Sequence, residues 1–316
     1  MNVTILSAIW PEAVEALLSR HECRVALSTS PDGLPGVLAD AEAIVLRSGI
    51  ALNRSALDSA LRLRLIVRAG MGLENIDCAA AGERGVRVVC APLSANSVAE
   101  HTMGLILALS RQIARHDAAL REGRWEKHSG YGRDLFGRCL GLLGFGRIGR
   151  RTAELGRAFG MSVVAYDRSP EKPAKQTIAA KIGVRFVSLA ELFAAADVLS
   201  IQTPLDDSTR GLMDASRLAM MKREALLINV GRGGVVDEDA LCSALRAGRL
   251  AGAALDVFAR EPPGKHPLLA LPNFIGTPHV GAQTREAQEH VGSAVVRIID
   301  AFADGGDWAA HGVVVV

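Results

Sequence analysis

The chain has 316 residues, 49% of them hydrophobic and 22% charged, with a formal net charge of +2. That length exceeds one typical domain and fits two, and the apolar fraction is ample for two cores. Charges of both signs are interspersed, with no basic stripe or aromatic interleaving, so no nucleic-acid partner is expected.

The N-terminus has no cationic lead, and its apolar run is only strand-length, so it does not read as a signal peptide. No stretch is long and apolar enough for a membrane span, and a cytoplasmic protein is expected. The five cysteines (Cys23, Cys78, Cys90, Cys139 and Cys242) are scattered, without a C-x-x-C pair. They read as small core residues in a reducing compartment, with no metal site.

In chain order, short apolar runs at residues 3–6, 24–27, 43–46, 65–68 and 86–89 read as strands, and residues 11–19 as a helix opened by Pro11. Asn53 caps another short helix. This βαβ alternation predicts a parallel sheet with flanking helices. A helical pattern begins at Asn96 or Ser97 and runs to Gly123. At about 25 residues it is longer than an average globular helix and reads as one element linking two domains. Residues 125–137 read as an irregular loop.

Residues 139–143 form an apolar run that ends in Gly144, Gly146 and Gly149, spaced G-x-G-x-x-G. A helical pattern follows, then a second apolar run, 162–166, that ends in Asp167. Gly144 allows the tight turn out of the strand, Gly146 lets a pyrophosphate approach the backbone, and Gly149 lets the helix pack close. The N–H groups and the positive dipole end of the helix face the anion. Asp167, about eighteen residues past Gly149, is placed to accept hydrogen bonds from a ribose diol. Its charge disfavours a 2′-phosphate, so NAD is the expected cofactor, although Arg168 beside it could offset that charge.

The second half continues with strands at 184–187, 198–202, 225–230, 251–255 and 274–277, and with helices at 189–194 and 238–247. Chemistry-bearing residues recur at the carboxyl ends of these strands, where open α/β sheets place ligands. A last helix, 284–302, is long enough to return to the first domain, and residues 313–316 could add an edge strand there. The expected domains are therefore 1–95 plus 286–316 for substrate and 96–285 for the dinucleotide.

Arg232, Glu261 and His279 stand at loop positions past strands. Together they suit hydride transfer at a C2 carbonyl. An arginine fork holds a carboxylate and polarises the carbonyl. A histidine gives or takes the proton. A carboxylate beside it orients the ring and favours its charged form.

Here the chain resembles the D-isomer-specific 2-hydroxyacid dehydrogenases over nearly its whole length. The matching segments are 68–77 (RAGMGLENID), 97–102 (SVAEHT), 143–149 (LGFGRIG), 229–233 (NVGRG), 255–258 (LDVF) with Glu261 and Pro262, and 277–281 (TPHVG). The resemblance implies two Rossmann-like α/β domains with the active site in the cleft between them. It implies Arg232, Glu261 and His279 as the catalytic set, and Gly70 and Met71 as N–H donors to the substrate carboxylate. It further implies that Gly144, Gly146, Arg147, Ile148 and Gly149 face the pyrophosphate, Asp167 the adenine ribose and Asp256 the nicotinamide amide. Thr102, Thr203, Pro204, Val230, Gly231 and Gly281 are implied to line the cofactor. Such enzymes are usually homodimers joined through the nucleotide domain, here by the long helix and the loop after Trp125.

Two departures stand out. Gln202 occupies a place where relatives often have histidine, and feedback control through the regulatory domains of some phosphoglycerate dehydrogenases is not expected. The segment with Arg47 and Ser48 is similar to one that meets a substrate phosphate in phosphoglycerate dehydrogenases. 3-Phosphoglycerate or a related acidic 2-hydroxy acid is therefore the expected substrate, with hydroxypyruvate or glyoxylate reduction as the alternative. The family also includes NAD(H)-binding corepressors, a third and more distant reading.

Overall fold

A computed structural model describes residues 1–27, 29–91, 95–128 and 130–316. The chain divides into two compact units. One combines the described residues before Ala95 with Ala282–Val316, and the other is Ala95–Gly281.

The first unit is built on a sheet of β1 (Asn2–Ile5), β2 (Glu22–Val25), β3 (Ala43–Leu46), β4 (Leu65–Arg68) and β5 (Arg87–Cys90). The order is β5-β4-β3-β1-β2, all parallel, and Val313–Val314 joins the β5 edge antiparallel. The second strand lies two residues earlier than the apolar run at 24–27. It is an edge strand with three of its four residues exposed, so its pairing with β1 sets its bounds rather than its burial.

Side chains alternate across this sheet as the pleat requires. Val3, Ile5, Val45, Val67 and Val89 share one core with Leu17, Val291, Val295 and Ile299 from helices Pro11–Arg20 and Arg285–Ala303. Ile44, Leu46, Ile66 and Val88 face the opposite way, onto Leu38, Leu52 and Leu57. Each such aliphatic residue contributes about 1.5–3 kcal/mol on burial. Asn53 caps Arg54–Ser59 and Thr284 caps Arg285–Ala303, each accepting from a backbone N–H in the first turn.

The second unit is a seven-stranded parallel sheet. Its strands are β6 (Cys139–Leu143), β7 (Ser162–Tyr166), β8 (Val184–Phe186), β9 (Val198–Ile201), β10 (Leu226–Asn229), β11 (Gly252–Leu255) and β12 (Phe274–Gly276). They lie in the order β12-β11-β10-β9-β6-β7-β8. β9, β10 and β11 are buried at every position, the continuous apolar pattern of a sheet covered on both faces. From β6 the chain winds outward to β8, then returns to β9 on β6's other side and winds the opposite way. That reversal opens a crevice at the carboxyl ends of β6 and β9.

One expectation is corrected. The single long helix after Asn96 is two helices, Ala95–Ser110 and Ile113–Arg121. Gln112 sits between them with a left-handed φ of 52°, which no α-helix can contain. The apolar periodicity runs straight across this break, so sequence pattern alone merges the two. In the loop that follows, Ser129 lies outside the described residues. No helix among the described residues is long and apolar enough to cross a membrane.

Candidate active site

The glycine turn follows β6 and opens the helix Arg147–Ala158. Its three glycines have separate physical reasons. Gly144 has a φ of 109°, and a Cβ there would approach the Gln202 carbonyl at the end of β9 to 3.0 Å. At Gly149 a Cβ would lie 2.3 Å from the Gly144 carbonyl oxygen, so the helix could not start so close to the strand. Gly146 differs. Its backbone is ordinary and extended (φ −77°, ψ −161°), and a Cβ would meet nothing within 4 Å. Neither conformation nor packing requires glycine there, and the bare backbone leaves room for close approach of a ligand.

Gly146 and Arg147 are exposed and Ile148 is half-buried, at the start of a helix whose first-turn N–H groups have no partner within the helix. Across the crevice, Thr203 carries a buried hydroxyl with no hydrogen-bond partner among the described residues. An open glycine at a helix N-terminus and an orphaned hydroxyl opposite fit the pyrophosphate end of a dinucleotide. Gly231 touches the Thr203 carbonyl, where a Cβ would stand at 2.8 Å, with Val230 buried behind it and Pro204 exposed at the rim. Thr102 is fully buried, its hydroxyl donating to the Val98 carbonyl at 2.7 Å, so it serves helix packing.

Asp167 stands at the end of β7, its carboxylate accepting from the N–H groups of Phe145 (3.2 Å) and Ser169 (2.9 Å). Lys175, on the helix Pro173–Ile182, pairs with the same carboxylate. Burial pushes the Asp167 carboxyl up, but the Lys175 bond and the two N–H donors outweigh it and hold the group below its ordinary value. Lys175 went unnoticed in the sequence, where two prolines separate it from Asp167 and no periodicity links them. Arg168 points elsewhere and pairs with Asp206.

Glu261 and His279 come together. His279 Nδ1 lies 2.9 Å from Glu261 Oε2, and Glu261 Oε1 accepts from the Phe258 N–H at 3.1 Å. Burial raises the Glu261 carboxyl, and the His279 bond and charge with the Phe258 amide overcome this, leaving it ionised below the usual carboxylate range. The His279 side chain stays 46% exposed, open to a substrate. Its backbone has a φ of 55°, an uncommon conformation for a non-glycine residue that costs about 1–2 kcal/mol.

Asp256 holds that strained turn. It is 2% exposed and accepts from the Thr277 hydroxyl (2.6 Å), the Val280 N–H (2.9 Å) and the Gly281 N–H (2.9 Å). Its carbonyl accepts from the His279 N–H at 2.8 Å, and His101 Nε2 lies 3.4 Å from its carboxylate. Burial raises the Asp256 carboxyl, while His101, the Thr277 hydroxyl and the two N–H groups bring it below its ordinary value. Gly281 packs tightly against this carboxylate, since a Cβ would reach 3.0 Å from Asp256 Oδ2.

Arg232 follows β10 on a turn tied by Asn229, whose Oδ1 accepts from the Gly231 N–H and whose Nδ2 donates to the Arg232 carbonyl. The next residue, Gly233, lies flat on the loop that carries Glu261. A Cβ there would stand 1.8 Å from the Phe258 carbonyl oxygen and 2.7 Å from the Ala259 nitrogen. The Arg232 turn and the Glu261 loop are thus in backbone contact.

The remaining candidates belong to the first unit. Arg47 is half-buried, its Nη1 donating to Gln288 Oε1 at 2.7 Å, and burial pushes its guanidinium down from its usual value. Ser48 is exposed. Gly70 has a φ of 146°, and its N–H turns back to the Arg68 carbonyl at 2.8 Å. The buried Arg68 guanidinium holds the Gly72 and Ala69 carbonyls, and Met71 is 38% exposed beside them.

Residues 103–281 match the model of the D-isomer specific 2-hydroxyacid dehydrogenase NAD binding domain. The chain is 40% identical over 293 residues to a hydroxypyruvate reductase of Thermotoga maritima, covering 91% of this chain and 94% of that one. It is also 40% identical over 301 residues to a D-3-phosphoglycerate dehydrogenase of Methanocaldococcus jannaschii, covering 95% of this chain. It spans 57% of the length of that relative. A D-lactate dehydrogenase from Aquifex aeolicus, solved with NAD and lactic acid, superposes with a TM-score of 0.86 at 29% identity, covering 99% of this chain and 98% of the other. The chain belongs to the D-isomer-specific 2-hydroxyacid dehydrogenases, and its second unit carries the NAD-binding domain of that family.

Proposed function

We propose that the protein is an NAD-dependent oxidoreductase that interconverts a D-2-hydroxy acid and its 2-keto acid. One observation carries this reading: an exposed histidine hydrogen-bonded to an ionised glutamate, on strand ends of an NAD-binding sheet, with an arginine turn packed against the glutamate's loop. Bound NAD supplies the hydride acceptor, or as NADH the donor. Gly146, Arg147 and Ile148 face its pyrophosphate, Asp167 takes the ribose diol, and Thr203, Pro204, Val230, Gly231 and Gly281 line it. Asp256 serves its amide end, by direct contact or through the turn that it pins. In the reducing direction Arg232 binds the carboxylate and polarises the C2 carbonyl, and His279 gives its proton to the carbonyl oxygen. Glu261 keeps the imidazole oriented through its hydrogen bond to Nδ1. In the oxidising direction His279 takes the hydroxyl proton.

For the substrate, an acidic 2-hydroxy acid such as 3-phosphoglycerate is proposed, with Arg47 and Ser48 toward the phosphate and the Gly70–Met71 turn toward the carboxylate. Named relatives of about 40% identity with that activity support it. The engagement of Arg47 by Gln288 favours the second reading, a hydroxypyruvate or glyoxylate reductase, because one terminal nitrogen of the guanidinium is already used. The test is NADH oxidation with phosphohydroxypyruvate, hydroxypyruvate, glyoxylate, pyruvate and longer 2-keto acids, with Arg47→Ala alongside. The first reading expects phosphohydroxypyruvate to lead and Arg47→Ala to remove that lead. An uncharged acid that leads, with Arg47→Ala silent, selects the second.

A homodimer is proposed from exposed apolar groups within one segment of the second unit. Trp125, Tyr131 and Phe136 are 79%, 90% and 81% exposed, and Ile113 and Leu120 lie open on the helix before them. Large apolar side chains left this open are costly in water and suit burial against a second copy of the chain. Sedimentation equilibrium reads the mass directly, and a monomer at micromolar concentration would sink this part.

A further inference from the structure

The loop that carries Glu261, residues 258–266, has no regular secondary structure of its own. A loop of this kind places a carboxylate accurately only if something outside it fixes both ends. Glu238 does so with its two carboxylate oxygens. It is the first residue of the helix Glu238–Arg246, and its side chain is 11% exposed. Its Oε1 accepts from the Ala259 N–H at 2.6 Å, near the start of the loop. Its Oε2 lies 3.2 Å from His266 Nε2, at the loop's far end.

His266 suits this contact as a hydrogen-bond donor. Its Nδ1 accepts from the Leu268 N–H at 3.3 Å, which leaves the ring proton on Nε2, facing Glu238. The same bond makes His266 the N-cap of the short turn Pro267–Ala270, so the far end of the loop is anchored to ordered chain. Immediately before the first anchor, Phe258 gives its N–H to Glu261, and its carbonyl is where Gly233 of the Arg232 turn rests. The carboxylate of Glu238 is thus one bond away from the backbone that orients Glu261 and meets Arg232.

We infer that Glu238 and His266 are positioning residues, a two-point clamp that sets the Glu261 loop and through it the Glu261–His279 pair and the Arg232 turn. This rests on the functional reading above for its consequence in turnover, but not for the clamp itself. Without the clamp the loop shifts, Glu261 loses its fixed approach to His279, and the proton donor is misplaced. A displacement of about 1 Å at such a group costs up to roughly 100-fold in rate.

The experiment uses the full chain and the variants Glu238→Ala, Glu238→Gln, His266→Ala, the double variant Glu238→Ala/His266→Ala and Glu261→Gln. Turnover is measured with the best 2-keto acid, NADH affinity by fluorescence titration, and the His279 ring by its imidazole 15N signals. The clamp predicts that Glu238→Ala lowers kcat about 10- to 100-fold. It predicts NADH affinity within about threefold of the parent, because none of these residues faces the glycine turn. The His279 signals should move toward those of Glu261→Gln, and the double variant should be no worse than Glu238→Ala. Glu238→Gln, which keeps an acceptor for the Ala259 N–H, should fall between Glu238→Ala and the parent, and it covers the case in which Glu238→Ala does not fold. Parent-like kcat with unmoved His279 signals overturns the clamp. So does a loss of kcat that tracks an equal loss of NADH binding, the mark of a merely structural role. If the parent oxidises NADH with none of the acids, the functional reading fails, and the 15N signals still decide the clamp alone.

Discussion

Gly146→Ala separates binding from folding at the glycine turn. A Cβ at this position meets no atom within 4 Å, and its φ of −77° is one that alanine adopts freely. The substitution should therefore leave the fold intact and raise stability by about 0.4–1 kcal/mol, because the unfolded chain loses freedom. Bound pyrophosphate would meet the new methyl and be pushed off the helix N–H groups. Loss of one hydrogen bond to a charged group costs about 1.5–3 kcal/mol, so NADH affinity should fall roughly 10- to 100-fold. Gly149→Ala is the control, since its Cβ would lie 2.3 Å from the Gly144 carbonyl. It should lose stability by about 1–3 kcal/mol through overpacking, along with binding. Thermal unfolding and NADH fluorescence titration on the three proteins read both quantities. A Gly146→Ala protein that binds NADH like the parent would refute the cradle.

Two other perturbations reach the same unit. Asp256 is ionised and below its ordinary value when folded, against about 3.9 when unfolded. A depressed carboxylate stabilises above the unfolded value and loses that contribution as pH falls through the folded one. Asp256→Asn should therefore cost about 1–3 kcal/mol at neutral pH, and the gap to the parent should shrink below roughly pH 4. Urea unfolding at both pH values checks this, and a gap that stays constant would remove the charge from the argument. Asp167→Ala should weaken NADH binding and relax discrimination against NADPH, since the carboxylate proposed to meet the ribose is gone and Lys175 is released. An unchanged ratio of the two affinities would mean that another residue reads the ribose.

Much of this was legible in the sequence because local physics dictated it. The parallel strands of the second unit are continuous buried apolar runs, and the glycine spacing after β6 answers to geometry within a few residues. Glu261 and His279 were readable as a pair only through the combination of residue types. Their 2.9 Å contact depends on a loop whose path no periodicity records. What stayed hidden was set by tertiary contacts. The break at Gln112 is a single left-handed residue inside an unbroken apolar pattern. Lys175 reaches Asp167, and Glu238 reaches His266, across segments with no sequence period to relate them. Asp256 reads as one more acid at a strand end, yet its hydrogen bonds hold the strained turn of His279.

The central claim is that His279 moves the proton while NADH binds independently of it. The direct measurement is NADH oxidation by the parent and by His279→Ala with the best 2-keto acid, beside NADH titrations of both. The account predicts that the parent turns over, that His279→Ala loses at least about 100-fold in kcat, and that both bind NADH within about threefold of each other. Turnover retained by His279→Ala, or NADH binding lost with it, would contradict the account.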